Sequence, residues 1–221
     1  MNPFDRPHDA PPCIAIVDDD EALRESLAWL LDSVGLATRA FPDGETFLDA
    51  APDTFGAVLL DVRMPGLSGL QVQQRLIERG DETPVIFMTG HGDVPMAVAA
   101  LKAGAQDFIE KPFNHQQLID TVQQALREHQ RARQARERRD ALQARYAALR
   151  PKEQRILVHV AEGMTSREIA DHLGVSAKTV EVYRLRAMKA LGATSLAELV
   201  RLCVALGLVD ALPDRGQVDG D

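Results

Sequence analysis

The chain has 221 residues, of which 45% are hydrophobic and 26% charged, with a formal net charge of −8. At about 100–200 residues per domain this indicates one large or two small domains able to bury a core, and it excludes a disordered polymer. No apolar run nears the roughly 18 residues of a membrane span, the proline-rich start Met1–Pro12 lacks the apolar stretch of a secretory signal, and two distant cysteines, Cys13 and Cys203, make neither a disulfide framework nor a zinc set. A reducing, cytoplasmic setting without membrane contact is therefore expected.

The net charge hides a split. Residues 1–126 carry a net −12, 127–149 a net +4, 150–210 a net +2 and 211–221 a net −2. An acidic half followed by a mildly basic half points to two functions in one chain, and the overall acidity does not exclude nucleic acid as a partner. Residues 1–11 read as a disordered extension and 211–221 as an acidic tail.

Short apolar runs come first: Cys13–Val17, a weaker Ala37–Phe41 suited to an edge strand, Ala57–Leu60, Val85–Met88 and Gln106–Ile109. Between them lie helical spacings: Leu23, Leu27, Leu30, Leu31 and Val34; then Leu70, Leu76 and Ile77; then Met96, Ala97, Ala100 and Leu101. Apolar strands alternating with helices indicate a parallel sheet covered on both faces, and five such repeats suit an α/β flavodoxin-like doubly wound fold. Ligands of such sheets bind at the carboxyl ends of the strands. There the runs end in Asp18-Asp19-Asp20, Asp61, Thr89-Gly90 and Lys111-Pro112.

Three carboxylates held close repel one another, and a divalent cation relieves the repulsion. Oxygen ligands with an open face suit Mg²⁺. A carboxylate can also attack phosphorus and form an acyl phosphate. Asp61, ending a central strand, is the candidate nucleophile, with the Thr89 hydroxyl and the Lys111 ammonium as donors to the phosphoryl group. Gly90 leaves room for the donor molecule, and the Lys111-Pro112 bond is a candidate cis peptide. Asp20 reads instead as the cap of the helix that carries Leu23.

Val17-Asp18-Asp19-Asp20, Leu60-Asp61-Val62-Arg63-Met64-Pro65-Gly66, Met88-Thr89-Gly90-His91-Gly92-Asp93 and Phe108-Ile109-Glu110-Lys111-Pro112-Phe113 resemble the receiver domain of two-component response regulators, most closely the FixJ subfamily. The resemblance covers residues 12–126. It implies a histidine kinase as phosphodonor to Asp61, and Mg²⁺ held by Asp18 or Asp19, by Asp61 and by the Arg63 backbone carbonyl. Phe108 stands where the family carries a switch aromatic, often tyrosine. Without a hydroxyl it can switch only through packing, and it reads equally as a core aromatic.

Residues 114–149 lack glycine and proline and are rich in helix formers, with Leu118, Val122 and Ala125 closing the first domain. The stretch 127–149 reads as a helical linker. Ala135, Leu142 and Leu149 recur every seven residues and hint at a coiled-coil seam, weakened by Arg139. The arginines between Arg131 and Arg139 read as a solvated face, or as a phosphate contact.

From 150 to 210 the pattern is an all-α four-helix domain. Ile156, Leu157 and Val160 mark the first helix, stopped by Gly163. Thr165-Ser166-Arg167-Glu168 is a capping box that opens the second, which Gly174 ends. Ser176 caps the third, which runs to about Leu191, and Leu196, Leu199, Val200 and Cys203 mark the fourth. Two helices joined by Gly174-Val175-Ser176 make a helix-turn-helix unit. On the third helix Val180, Ala187 and Leu191 share a face with Tyr183 beside it, and Lys178, Val182, Leu185 and Lys189 lie opposite, flanked by Glu181 and Arg186. Glu181 is a candidate acceptor from a cytosine amine, and Val182 and Leu185 are candidates to meet thymine methyls. Lys178, Thr179, Arg186 and Lys189 suit duplex contact, mainly to phosphate. Residues 149–208 resemble the LuxR-type DNA-binding domain through Glu162-Gly163, Arg167-Glu168-Ile169-Ala170, Val175-Ser176 and Thr179-Val180-Glu181-Val182. They depart from it at Arg150, Ser166, Tyr183 and Arg186.

The expected function is a phosphorylation-switched transcriptional regulator that dimerises on phosphorylation and binds duplex DNA, with RNA polymerase a further candidate partner. The competing reading is a protein-binding switch whose helical domain holds a sigma or anti-sigma partner. An enzyme is not expected. The chain has no Gly-Lys-Thr phosphate loop and no second aspartate two residues after Asp61.

Overall fold

The computed structural model describes residues 12–50, 55–90 and 94–209. The expected N-terminal extension, the acidic tail and the His91-Gly92-Asp93 part of the third motif lie outside the described residues. Within the described residues the chain divides into two compact units after Ala132.

The first unit is a five-stranded parallel sheet in the order β2-β1-β3-β4-β5. Its strands are β1 (Cys13–Val17), β2 (Thr38–Phe41), β3 (Phe55–Asp61), β4 (Val85–Thr89) and β5 (Asp107–Glu110). Every residue of β1, β3 and β4 is buried, which is why these strands are continuous apolar runs. β2 is the edge strand, as its weaker run indicates. One sheet face packs on α2 (Gly44–Asp49), α3 (Gly69–Glu78) and α4 (Val94–Lys102), through Phe47, Val72, Leu76 and Ala100. The other packs on α1 (Glu21–Asp32) and the start of α5 (His115–Ala147), through Leu27, Leu31, Leu118, Val122 and Ala125.

Several sequence expectations shift. The stripe ending at Val34 overruns α1, which stops at Asp32; Ser33 caps it and Gly35 follows at φ 76°. Val34, Ile77 and Leu101 are exposed, at 40%, 48% and 44%, and do not belong to the buried stripes. The six-residue α2 has no counterpart among the expected helices. It was signalled only by Asp43, whose side chain accepts from Thr46 N–H, and by the buried pair Phe47 and Leu48.

The second unit holds the end of α5 with α6 (Pro151–Ala161), α7 (Ser166–Leu173), α8 (Ala177–Leu191) and α9 (Leu196–Ala205). Its core is Ile156, Leu157, Val160, Ile169, Val180, Ala187, Leu191, Leu199 and Cys203. The capping box of α7 forms, with Thr165 N–H donating to Glu168 Oε2 at 2.7 Å. Gly174 ends α7 in the left-handed conformation at φ 64°. Leu149 is buried and Leu142 half-buried against this same core, while Ala135 is exposed. The heptad spacing thus reflects packing inside the unit at its last two positions. No helix among the described residues is long and apolar enough to cross a membrane.

Candidate functional site

Strand register brings the expected residues of the first unit to one edge. Val17 pairs with Leu60, Asp61 with Met88, and Thr89 with Glu110. Asp18, Asp61, Thr89 and Lys111 therefore all leave the sheet at its carboxyl end. Asp18 and Asp61 are 1% and 6% exposed, and Thr89 is buried beside them.

Lys111 ties the site together. Its Nζ donates to Asp18 Oδ2 and to Asp61 Oδ1, each at 2.6 Å. The Arg63 backbone N–H donates to the other Asp61 oxygen at 2.8 Å. A cavity of about 290 Å³ opens on Asp61, Arg63, Thr89, Gly90 and Lys111. The Lys111-Pro112 peptide is cis. Burial pushes the Asp61 carboxyl above the usual aspartate range, against the bond from Lys111, which pulls it down. Burial alone would lower Lys111, but its hydrogen bonds to Asp18 and Asp61 hold the ammonium above the ordinary lysine value.

The expected cluster of three acids becomes two acids and an ammonium. Asp19 is exposed, and among the described residues no three His, Cys, Asp or Glu side chains converge as a metal cluster. Asp20 is the cap of α1, its side chain accepting from Leu23 N–H at 3.2 Å. Asp18 and Asp61 are the two carboxylates that share the Lys111 ammonium. Phe108 is half-buried on β5, its ring centroid 6.2 Å from that of Phe87. Two contributors carry no motif. Arg24 Nη1 donates to the Asp18 carbonyl at 2.7 Å. A Cβ on Gly69 would stand 2.2 Å from the Asp61 carbonyl oxygen, so only glycine allows α3 to start there.

In the second unit α8 buries Val180, Ala187 and Leu191. It exposes Lys178, Val182, Leu185, Arg186 and Lys189, with Leu185 60% exposed. Thr179 is half-buried and bound into the cap, its N–H donating to Ser176 Oγ at 3.1 Å. Glu181 is less available to a base than its position on the helix implies. Its carboxylate accepts from Ser166 Oγ on α7 and from Arg184 Nη2 at 2.7 Å. The Arg184 contact is an i, i+3 pair that periodicity alone allows without specifying. The Arg186 guanidinium lies 5.9 Å from the centroid of the Tyr183 ring.

Residues 14–123 match the family described as response regulator receiver domain, and residues 147–203 that of bacterial regulatory proteins, luxR family. The chain is 41% identical to the transcriptional regulatory protein FixJ of Bradyrhizobium diazoefficiens, over 89% of this chain and 97% of that one. It is 43% identical to the C4-dicarboxylate transport transcriptional regulatory protein DctR of Rhodobacter capsulatus, over 86% and 98%. Among solved structures, the response regulator StyR superposes with a TM-score of 0.81 at 41% identity, over 87% and 98% of the two chains. Full-length FixJ from B. japonicum superposes with a TM-score of 0.56 at 41% identity, over 90% and 98%. Likeness of this extent, across both units, places the chain in the FixJ-type response regulators, transcriptional regulators of two-component systems that join a receiver domain to a LuxR-type DNA-binding domain.

Proposed function

We propose that Asp61 is the phosphoacceptor of this regulator and that its phosphorylation by a partner histidine kinase governs duplex binding through α8. The receiver spans 12–126, the helical linker 127–149 and the DNA reader 150–210. The observation that carries the reading is the single ammonium held at 2.6 Å by both Asp18 and Asp61, on the strand edge that also presents Thr89.

That ammonium marks where positive charge is wanted between the two carboxylates. The donor set fits Mg²⁺: Asp18 or Asp19, with Asp61 and the Arg63 backbone carbonyl, would hold it. When bound, the ion neutralises charge on the transferred phosphoryl oxygens. An Asp61 oxygen forms the bond to phosphorus as the bond from phosphorus to the kinase's histidine nitrogen breaks. Lys111 and Thr89 donate to the phosphoryl oxygens, and Phe108 follows Thr89 through packing.

Phosphorylation then favours a homodimer, which sets two α8 helices on two half-sites of a duplex. Lys178, Thr179, Arg186 and Lys189 take phosphate, and Val182 and Leu185 reach thymine methyls. Glu181 reads a base only by giving up Ser166 or Arg184. RNA polymerase is a further partner of the bound dimer, in a cytoplasmic setting. Turnover beyond slow self-dephosphorylation is not expected. The test is duplex affinity at matched salt, on sequences selected from a random pool. The phosphorylated chain is expected to bind more tightly than Asp61→Asn, and equal affinity overturns the switch. The exposed pair Val182 and Leu185 also supports a sigma or anti-sigma partner as a second reading.

A further inference from the structure

We propose that Arg24 is a positioning residue for the acid pocket: by holding the main chain of Asp18 it sets how the Asp18 carboxylate meets Asp61 and a cation between them. This rests on the reading of the pocket as a metal-dependent phosphoacceptor site.

Three polar contacts reach the carboxylate and carbonyl of Asp18. Its Oδ1 accepts from Asp20 N–H at 3.0 Å, its Oδ2 from Lys111 Nζ at 2.6 Å, and its carbonyl from Arg24 Nη1 at 2.7 Å. The first lies within the loop itself. The second competes with any divalent cation for the same carboxylate, so it weakens when the pocket fills. The third does not depend on what the pocket holds. It is therefore one of two contacts from outside the loop, with the bond from the Asp18 N–H to the Phe41 carbonyl, that keep Asp18 in place through a cycle of cation and phosphoryl binding.

The chain places Arg24 for this by simple geometry. It is the fourth residue of α1, and helical side chains lean toward the helix N-terminus. The guanidinium thus reaches back over the turn between β1 and α1. The strand ladder holds the Asp18 N–H, which donates to the Phe41 carbonyl at 3.2 Å. Arg24 holds the carbonyl of the same residue, so both sides of the Asp18 backbone are anchored. Removing groups that orient a metal ligand from behind costs affinity for the metal, not only stability.

The test titrates Mg²⁺ into the full-length, unphosphorylated chain by calorimetry. Arg24→Ala is expected to bind Mg²⁺ about tenfold or more weakly than the parent chain. Arg24→Lys, which keeps a charged donor for the carbonyl, is expected to stay close to the parent, with Arg24→Gln between the two. Phosphorylation of Arg24→Gln by a small acyl-phosphate donor is expected to need more Mg²⁺ for half-maximal rate while keeping the rate at saturating Mg²⁺. Parent-like Mg²⁺ affinity in Arg24→Ala and Arg24→Gln, with only a lowered melting temperature, overturns the proposal. So does a loss in Arg24→Lys as large as in Arg24→Gln. If the parent chain binds no Mg²⁺, or Asp61→Asn binds it as tightly, the pocket reading itself fails and the inference with it.

Discussion

Lys111 and Asp61 share one hydrogen bond, yet burial acts on them in opposite senses. A carboxyl must be ionised to attack phosphorus, and burial lifts Asp61 above its ordinary value of 3.8. Acyl phosphate formation from a small phosphodonor is therefore expected to fall as pH is lowered through a point above 3.8. Lys111→Met removes the bond that pulls the Asp61 carboxyl down, so the inflection should move up in pH. The same variant should lower the rate at neutral pH by about 10²-fold, the usual cost of a lost donor to a transferring group. Intact-protein mass spectrometry over a pH series reads both effects, and a downward shift in Lys111→Met would contradict this account. The raised Lys111 adds a stability consequence. Its contribution is complete below the ordinary lysine value of 10.5 and is lost as pH rises through the higher folded value.

At the scale of elements, two glycines show how a start and a stop are made by different means. Gly69 opens α3 against the backbone of Asp61. Its N–H donates to the Val62 carbonyl at 3.0 Å, and a Cβ there would meet the Asp61 carbonyl oxygen at 2.2 Å and the Phe87 ring at 3.1 Å. Gly174 closes α7 at φ 64° with open space around it. Gly69→Ala is expected to cost about 1–3 kcal/mol by overpacking and to slow phosphorylation, because the atom that must yield belongs to Asp61. Gly174→Ala is expected to cost about 1–2 kcal/mol from backbone conformation alone and to leave phosphorylation of Asp61 unchanged. Denaturant unfolding followed by phosphorylation assays separates the two. Equal slowing in both variants would show that stability, not the contact with Asp61, sets the rate.

Over the whole molecule, the acidic first half and the basic second half assign opposite electrostatic tasks to the two units. Lys178, Arg186 and Lys189 are exposed on α8. Duplex affinity should fall linearly in log–log form with added salt, and Lys189→Ala should flatten the slope by about 1, as one released counterion requires. Anisotropy titrations at several salt concentrations measure this. A complex indifferent to salt, with no duplex binding, would favour the sigma or anti-sigma reading.

Local chemistry was enough to read the strand–helix alternation, the strand-end acids with Thr89 and Lys111, and the Thr165 and Ser176 caps. Each is written in contiguous residues, whose periodicity and capping act over a turn or two of chain. The partners of those residues were not legible. That Asp18 and Asp61 close on one ammonium, that Arg24 grips the Asp18 carbonyl and that Glu181 accepts from Ser166 on the neighbouring helix follow from strand register and helix packing. These bring together groups as many as 93 positions apart in the chain. For Asp18 and Asp61 burial leaves a charged carboxylate no water to fall back on, so it takes whichever counter-charge the folded backbone brings within reach.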